Sequence, residues 1–286
     1  GLGVDITYIG SVGREDVHPV FDELASKCRV YGLADPGYTQ ALEFDDGKLM
    51  LGKHYTLKEV TWERVTATLP VERLRELASG ASLLGALNWT MLPHLTEIWE
   101  HFVDEVLAAL PEGRRPITFF DLCDPEKREV SDLVRALAAI ERFSEKSRPI
   151  LGLNLKEAAQ VASALGIEFG RSATEVPVEE LTAKIAERLN VYGVVVHPTR
   201  EAAAAVGGVL ARIDGPYTSK PKLTTGAGDN FNAGFCFGQI LGFSPEESLI
   251  LGKGTSGFYV RNRRGPSKDE LAAFLRVWAD HVGEDF

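Results

Sequence analysis

The sequence predicts an α/β fold: a mainly parallel sheet flanked by helices, with a small β appendage. Three observations predict it. Short apolar runs rich in β-branched or aromatic residues recur at 83–87, 117–121, 150–153 and 191–197. Amphipathic stretches of helical period lie between them. One segment, 38–57, breaks the alternation with two short strand-like runs around an Asp-Gly turn. Strands that alternate with helices pair in parallel, because each helix carries the chain back across the sheet and covers one of its faces.

From the N-terminus, residues 6–10 read as a strand, 17–27 as a helix and 29–33 as a second strand. In the hairpin, Asp45-Asp46-Gly47-Lys48 supplies the Asp-Gly step that tight two-residue turns favour. After the strand at 83–87 come a helix at 95–110, a strand at 117–121 and a helix at 126–143. Asp124-Pro125 marks the start of that last helix, with Asp as N-cap and Pro at the first helical position. The strand at 150–153 leads into a helix at 155–165, and a helix at 178–189 precedes the strand at 191–197. Helices at 230–241, 246–261 and 268–282 close the chain. The last two open on the capping boxes Ser244-Pro-Glu-Glu247 and Ser267-Lys-Asp-Glu270. No repeat, low-complexity tract or long linker divides the 286 residues. One domain is expected, with residues 36–60 as a small β lid.

Bulk composition excludes several classes. The apolar fraction of 44% is ample for a core, yet no run approaches the roughly 20 apolar residues of a membrane-spanning helix. The net charge of −10 disfavours nucleic-acid backbones. The one compact basic run, Arg261-Asn-Arg-Arg264, ends a predicted helix, where cations suit the helix dipole. Three scattered cysteines, without CxxC or HExxH, exclude a disulfide framework and a zinc site and suit a reducing cytoplasm. Neither a membrane nor a nucleic acid is expected as partner. Asn88-Trp89-Thr90 fits a glycosylation sequon without any other secretory feature. Gly47-Lys-Leu-Met-Leu-Gly-Lys-His54 approaches a P-loop, but it ends in His and lies in the hairpin, so it is rejected.

The chemistry concentrates in Leu223-Thr-Thr-Gly-Ala-Gly-Asp-Asn-Phe-Asn-Ala-Gly-Phe235. Small residues at Gly226, Ala227 and Gly228 let backbone amides turn toward an anion, and the helix that follows adds unpaired N–H groups. Asp229 sits in its first turn, beside that cradle, where a carboxylate can take the proton of an attacking hydroxyl. The local sequence alone fits a plain tight turn with a dipole-favoured Asp equally well.

Thr225-Gly-Ala-Gly-Asp-Asn-Phe-Asn-Ala-Gly234 resembles the C-terminal signature of the ribokinase family, also called the PfkB carbohydrate kinases. The resemblance implies a ribokinase-like fold and an ATP- and Mg²⁺-dependent kinase. Asp229 would be its base, and Gly226, Ala227 and Gly228 its anion hole. Further segments follow in the family's order: Tyr8-Ile-Gly-Ser-Val-Gly13, Asp35-Pro-Gly-Tyr-Thr39 with the hairpin as lid, Phe120-Asp121, Asn154-Leu-Lys-Glu157, and Val194-Val-Val-His-Pro-Thr199. In the family the Glu of Asn-x-x-Glu organises magnesium and its waters, which assigns Glu157 and Asn154 to the metal; the same pair is also a capping box. The resemblance places Thr225, His197, Thr199, Thr255 and Ser256 at the nucleotide; His197 fits a plain strand end as well, and the small residues Gly254-Thr-Ser-Gly257 would equally let helices pack closely. His197-Pro-Thr-Arg200 departs from the family's usual Thr and Gly-rich turn.

The acceptor is expected to be a sugar or a related small molecule. Thr39, Gln40, Glu43 and Asn88 are its candidate contacts, each also readable as an ordinary polar strand residue. The family's acidic first strand and Gly-Gly-Asn signature precede the point where Gly1 stands, so the N-terminal part of the domain is expected to be absent. A homodimer through the lid is the expected assembly. A nucleoside kinase of the same fold and a non-catalytic sugar- or nucleotide-binding regulator are the alternatives.

Overall fold

The computed structural model of the chain describes residues 2–44 and 46–286, without the side chains of Glu43 and Lys48. Strand β1 (Thr7–Gly10) pairs in parallel with β2 (Arg29–Gly32) as a separate two-stranded sheet, with α1 (Asp22–Ala25) between them. β3 (Tyr38–Phe44) and β4 (Gly47–Lys53) form the expected antiparallel hairpin; Asp45 of its turn lies outside the described residues. Helices α2 (Trp62–Thr68) and α3 (Val71–Gly80) follow. Then come β5 (Leu83–Ala86), α4 (Leu95–His101), β6 (Ile117–Asp121), α5 (Val130–Arg142), β7 (Arg148–Leu153), α6 (Leu155–Ala164), α7 (Val178–Arg188) and β8 (Gly193–Val196). β9 (Glu201–Val206) and β10 (Val209–Asp214) precede α8 (Ala227–Leu241), α9 (Pro245–Asn262) and α10 (Lys268–Ala279).

The main sheet runs β10-β9-β8-β7-β6-β5. β5 through β8 are parallel, while β9 pairs antiparallel with β8 and β10 antiparallel with β9. Strand side chains alternate between the faces, and the two cores follow that alternation. Phe120, Leu151, Leu153, Val194 and Val196 enter the larger core, with Leu137, Val161 and Ile185 of α5, α6 and α7. Their neighbours Phe119, Ile150 and Val195 enter the smaller one, with Phe231 and Phe235 of α8 and Leu249 of α9. Helices therefore cover both faces, as alternating β and α units require. No described helix is long and apolar enough to cross a membrane.

Several elements differ from the expectation. The helix expected at 17–27 is a 3-10 turn at Pro19–Phe21 followed by the single turn of α1. Pro19 explains the break: the residue before a proline is pushed out of the helical region, and His18 has an extended ψ of 134°. The helix expected at 95–110 keeps only α4 as α-helix. A π turn at Phe102–Val106 and a 3-10 turn at Leu107–Ala109 complete it, which buries Val103, Val106 and Leu107 together. The helix expected at 126–143 starts at Val130, because Pro125–Lys127 forms a separate 3-10 turn. The β9–β10 hairpin and helices α2 and α3 were not anticipated.

α8 and α9 pack backbone to side chain. A Cβ on Gly234 would lie 2.4 Å from both the Leu251 carbonyl oxygen and Thr255 Oγ1. Glycine weakens a helix interior by roughly 0.5–1 kcal/mol relative to Ala, but here it alone admits the neighbouring helix. Gly234→Ala is expected to destabilise the protein by about 1–3 kcal/mol through overpacking. Urea denaturation reads this as a lower midpoint, and an unchanged midpoint would refute the close α8–α9 approach.

Candidate active site

The parallel strands end on one edge of the sheet. β5 leads to Asn88, β6 ends at Asp121, β7 runs into Asn154 and β8 into His197. Open α/β sheets bind ligands outside this carboxyl edge. The helix N-termini that follow the strands bring open N–H groups to the same place.

Asn154 and Glu157 close a capping box: Glu157 N–H donates to Asn154 Oδ1 and Asn154 N–H to Glu157 Oε2, each at 2.9 Å. The second oxygen of Glu157, Oε1, accepts the Asp124 N–H, also at 2.9 Å. Cys123 and Asp124 hold φ values of 61° and 60°, a left-handed pair that is unfavourable for non-glycine residues. Two carboxylates stabilise it, since Asp121 Oδ1 accepts the Cys123 N–H at 3.0 Å. Asp124 was expected to cap a helix, but its side chain makes no capping bond and pairs instead with Lys127 at 3.0 Å. The left-handed backbone of Asp124 turns its N–H toward Glu157 instead.

The other oxygen of Asp121 accepts from Asn232 Nδ2 at 2.8 Å, which ties β6 to α8. Burial, then the charges of Glu157 and Asp229, push the Asp121 carboxyl up to about 7. Asn232 is 7% exposed, and its Oδ1 is buried without a partner among the described residues.

Gly226 opens α8 with φ 87°, a left-handed value that favours glycine. A Cβ there would also come within 2.9 Å of the Tyr259 hydroxyl, which donates to the Thr225 carbonyl at 2.7 Å. The Ala227 N–H donates back to the Thr224 carbonyl at 3.1 Å. The Gly228 and Asp229 amides have no such loop carbonyl among the described residues, so they are the donors left for an anion. The Asp229 carboxylate makes no hydrogen bond or ion pair to any described residue, and partial burial raises its pKa above the usual range.

His197 lies beside this turn. A Cβ on Gly228 would sit 3.5 Å from its Cε1, and its ring stacks on Phe231 at 4.4 Å. Burial, then the nearby Lys253 charge, lower its pKa to about 3, so the ring is neutral. Thr199 is exposed and its carbonyl accepts from Lys253 Nζ at 3.2 Å; Lys253 also bonds the Pro198 carbonyl. Thr255 faces α8: it is 2% exposed and its hydroxyl donates to the Leu251 carbonyl at 2.8 Å. Ser256, one position on, is partly exposed.

The candidates on the acceptor side are less converged. Thr39 Oγ1 is 3.1 Å from His54 Nε2. Gln40 is exposed and, by strand alternation, sits on the opposite face of the hairpin. The Glu43 side chain lies outside the description. Asn88 is exposed at the end of β5 with φ 65°. No hydrogen bond among the described residues joins these groups to the Asp229 turn. The structure thus gathers Asp229, Gly226, Ala227, Gly228 and His197 at one helix start, with Glu157 and Asn154 linked to them through Asp121. Sequence reasoning passed over Asp121, Asn232 and Lys253 as site residues.

Among the described residues, no group of three or more His, Cys, Asp or Glu is placed to hold a metal ion directly. The orphaned oxygen of Asn232 and the carboxylates of Asp121 and Glu157 fit a hydrated cation bound through its own waters better than a bare one.

Solved structures with this fold include carbohydrate kinases and a nucleoside kinase of Methanocaldococcus jannaschii. A carbohydrate kinase from Agrobacterium tumefaciens superposes with a TM-score of 0.70 at 20% identity, covering 96% of this chain and 81% of that one. A putative ribokinase II from E. coli, in complex with ATP and Mg²⁺, does so with a TM-score of 0.67 at 16% identity, covering 96% and 84%. The fold is that of the ribokinase/PfkB carbohydrate kinases. Within that class, the family description of prokaryotic ketohexokinases matches residues 1–278, and the chain belongs to that family of sugar kinases. A ketohexokinase of Haloferax volcanii is 29% identical over 284 residues, which span 98% of this chain and 72% of the relative.

Glu157→Gln tests the carboxylate between β6 and α6. An amide can accept only one of the two converging N–H groups and turns its own NH₂ on the other, an expected loss of about 1–3 kcal/mol. The urea midpoint should fall at unchanged m-value; a wild-type midpoint would show that Glu157 does not bridge Asp124 and Asn154.

Proposed function

We propose that this protein transfers the γ-phosphoryl group of ATP to a hydroxyl of a ketohexose. The observation that carries the reading is the free Asp229 carboxylate beside the open amides of Gly228 and Asp229, on the carboxyl edge of the sheet. Family membership and the name of the Haloferax relative support the ketohexose.

Asp229 accepts the proton of the acceptor hydroxyl as its oxygen attacks phosphorus. The raised basicity of its partly buried carboxyl suits that task. The α8 amides stabilise the charge on the transferring group, and being fixed in the helix they need no reorganisation. Thr225, His197, Thr199 and Ser256 border the nucleotide. The neutral His197 ring offers it an uncharged surface, and Lys253 holds the Pro198 and Thr199 carbonyls in place. Asn154, Glu157, Asp121 and Asn232 would hold Mg²⁺ through its water shell. When bound, the ion neutralises phosphate charge. Asp229→Asn is expected to lower kcat by roughly 10²–10⁴-fold while ATP binding, followed by calorimetry, stays near wild type. Turnover at the wild-type rate would sink the base assignment.

The β3–β4 hairpin acts as the lid that keeps water from the transferring phosphoryl. By register, Tyr38, Leu42, Phe44, Leu49 and Leu51 share one of its faces, and all are exposed. Such a face on a two-stranded sheet calls for cover, and the lid of a second copy supplies it. Leu49→Glu combined with Leu51→Glu is expected to halve the mass in sedimentation equilibrium. A mass that stays at that of two chains would exclude the lid as the interface.

A further inference from the structure

Apolar packing sets how far α8 lies from the sheet, but it is non-directional. Phe231 and Phe235 would tolerate a small slide or rotation of the helix. Among the described residues, one side-chain hydrogen bond joins α8 to the end of β6: Asn232 Nδ2 to Asp121 Oδ2, at 2.8 Å across 111 residues of sequence. Asn232 lies three residues beyond Asp229, on the same side of the helix. A displacement of Asn232 therefore passes almost rigidly to the Asp229 carboxylate and to the amides before it.

Asp121 is anchored in turn. Its Oδ1 accepts the Cys123 N–H, and the next residue, Asp124, is held by Glu157 Oε1. Glu157 also caps α6. Hydrogen bonds thus run without a break from α8 through Asp121 and the left-handed Cys123–Asp124 pair to α6. A carboxylate packed near two others is a poor device for stability alone, since a well-packed apolar residue of similar volume usually serves as well or better.

We propose that Asp121 and Asn232 are positioning residues that set the placement of Asp229 and its helix amides relative to Glu157. The inference rests on the kinase reading above. A misplacement of about 1 Å can reduce turnover by roughly 10²-fold.

The test compares variants of the whole chain in a coupled ADP-release assay with ATP, fructose and Mg²⁺ raised until each variant's rate no longer depends on it, so that a loss of kcat does not reflect lost metal occupancy. Asn232→Leu keeps the volume and removes the bond. It is expected to lower kcat by roughly 10- to 100-fold with the KM for ATP little changed, the pattern of an interaction needed only in the transition state. Asp121→Asn is the milder variant: its one carbonyl oxygen can meet only one of the Cys123 and Asn232 donors, so it breaks the connection at one end or the other, and it carries the test if Asn232→Leu does not fold. The double variant should be no slower than the worse single, because each interrupts the same connection from α8 to the Cys123–Asp124 turn. Thr118→Val is the structural comparator. It deletes a more deeply buried bond, Thr118 to Ser147 at 3.0 Å, elsewhere in β6; its kcat should match wild type despite a lower melting temperature. Wild-type kcat in folded Asn232→Leu or Asp121→Asn overturns the proposal. So do losses that multiply in the double variant, or a Thr118→Val loss as large as that of Asn232→Leu. Asp229→Asn runs alongside: if it is inactive while Asn232→Leu is fully active, only this inference falls, and if it is active, the kinase reading falls with it.

Discussion

Two backbone N–H groups, from Asp124 and Asn154, converge on the one carboxylate of Glu157. The rest of the site depends on that convergence. The β6 strand could end in many ways, yet the chain after it adopts two consecutive left-handed residues, at 61° and 60°. Each such residue costs of order 1–3 kcal/mol outside glycine, so something must over-determine the turn. Glu157 does so from α6 and Asp121 from β6 itself. The same turn leaves the second oxygen of Asp121 for Asn232. Three elements far apart in sequence are thereby registered through three side chains, Glu157, Asp121 and Asn232.

This arrangement gathers negative charge where a polyphosphate is proposed to bind. Two unit charges about 6 Å apart at an effective dielectric near 20 repel by about 3 kcal/mol. Burial first, and then that crowding, hold the Asp121 carboxyl up to about 7. The nearest buried ammonium, Lys253, does not offset it, because its Nζ is turned to the Pro198 and Thr199 carbonyls. Helix amides at Gly228 and Asp229 attract phosphate but only with partial charges. A divalent cation that enters with the nucleotide is therefore the electrostatic complement this edge needs under the proposed reaction. The acidic edge and the amide cradle are then two halves of one arrangement, one suited to the cation and the other to the phosphate.

Much of this was legible because its signals are local. The Asp229 turn combines a left-handed glycine with a helix start, and Asn154 with Glu157 follows a capping pattern that leaves few conformations. The four parallel strands were legible from apolar runs such as Val194-Val-Val, which suit strands buried on both faces. The β9 strand was not, because Glu-Ala-Ala-Ala-Ala-Val carries no β-branched signal until its end. The Gly207-Gly208 step after it, with φ of 60° and 82°, was the available hairpin cue. Asp121 and Asn232 meet across 111 residues, and no local pattern announces such a contact. Lys253 stood between Gly252 and Gly254, a lone charge in a small-residue helix, and only the folded loop shows what its ammonium holds.

The hairpin poses the remaining physical question, since it carries an apolar face but no core of its own. A two-stranded sheet in water is marginal at best, and neither Tyr38 nor Phe44 is covered within this chain. Burying one large apolar side chain contributes about 1.5–3 kcal/mol, so five such residues offset a large part of the cost of ordering fourteen strand residues, about 1–2 kcal/mol each, only if most are covered at once. In the proposed dimer a second copy presenting the same face would do this symmetrically, and residue i would meet residue j twice. It also leaves the opposite face, with Thr39, free for a ligand. Under the proposed reading, apolar cover on one side and ligand contact at Thr39 on the other would not compete, and that separation would let one short hairpin be both an interface and a lid.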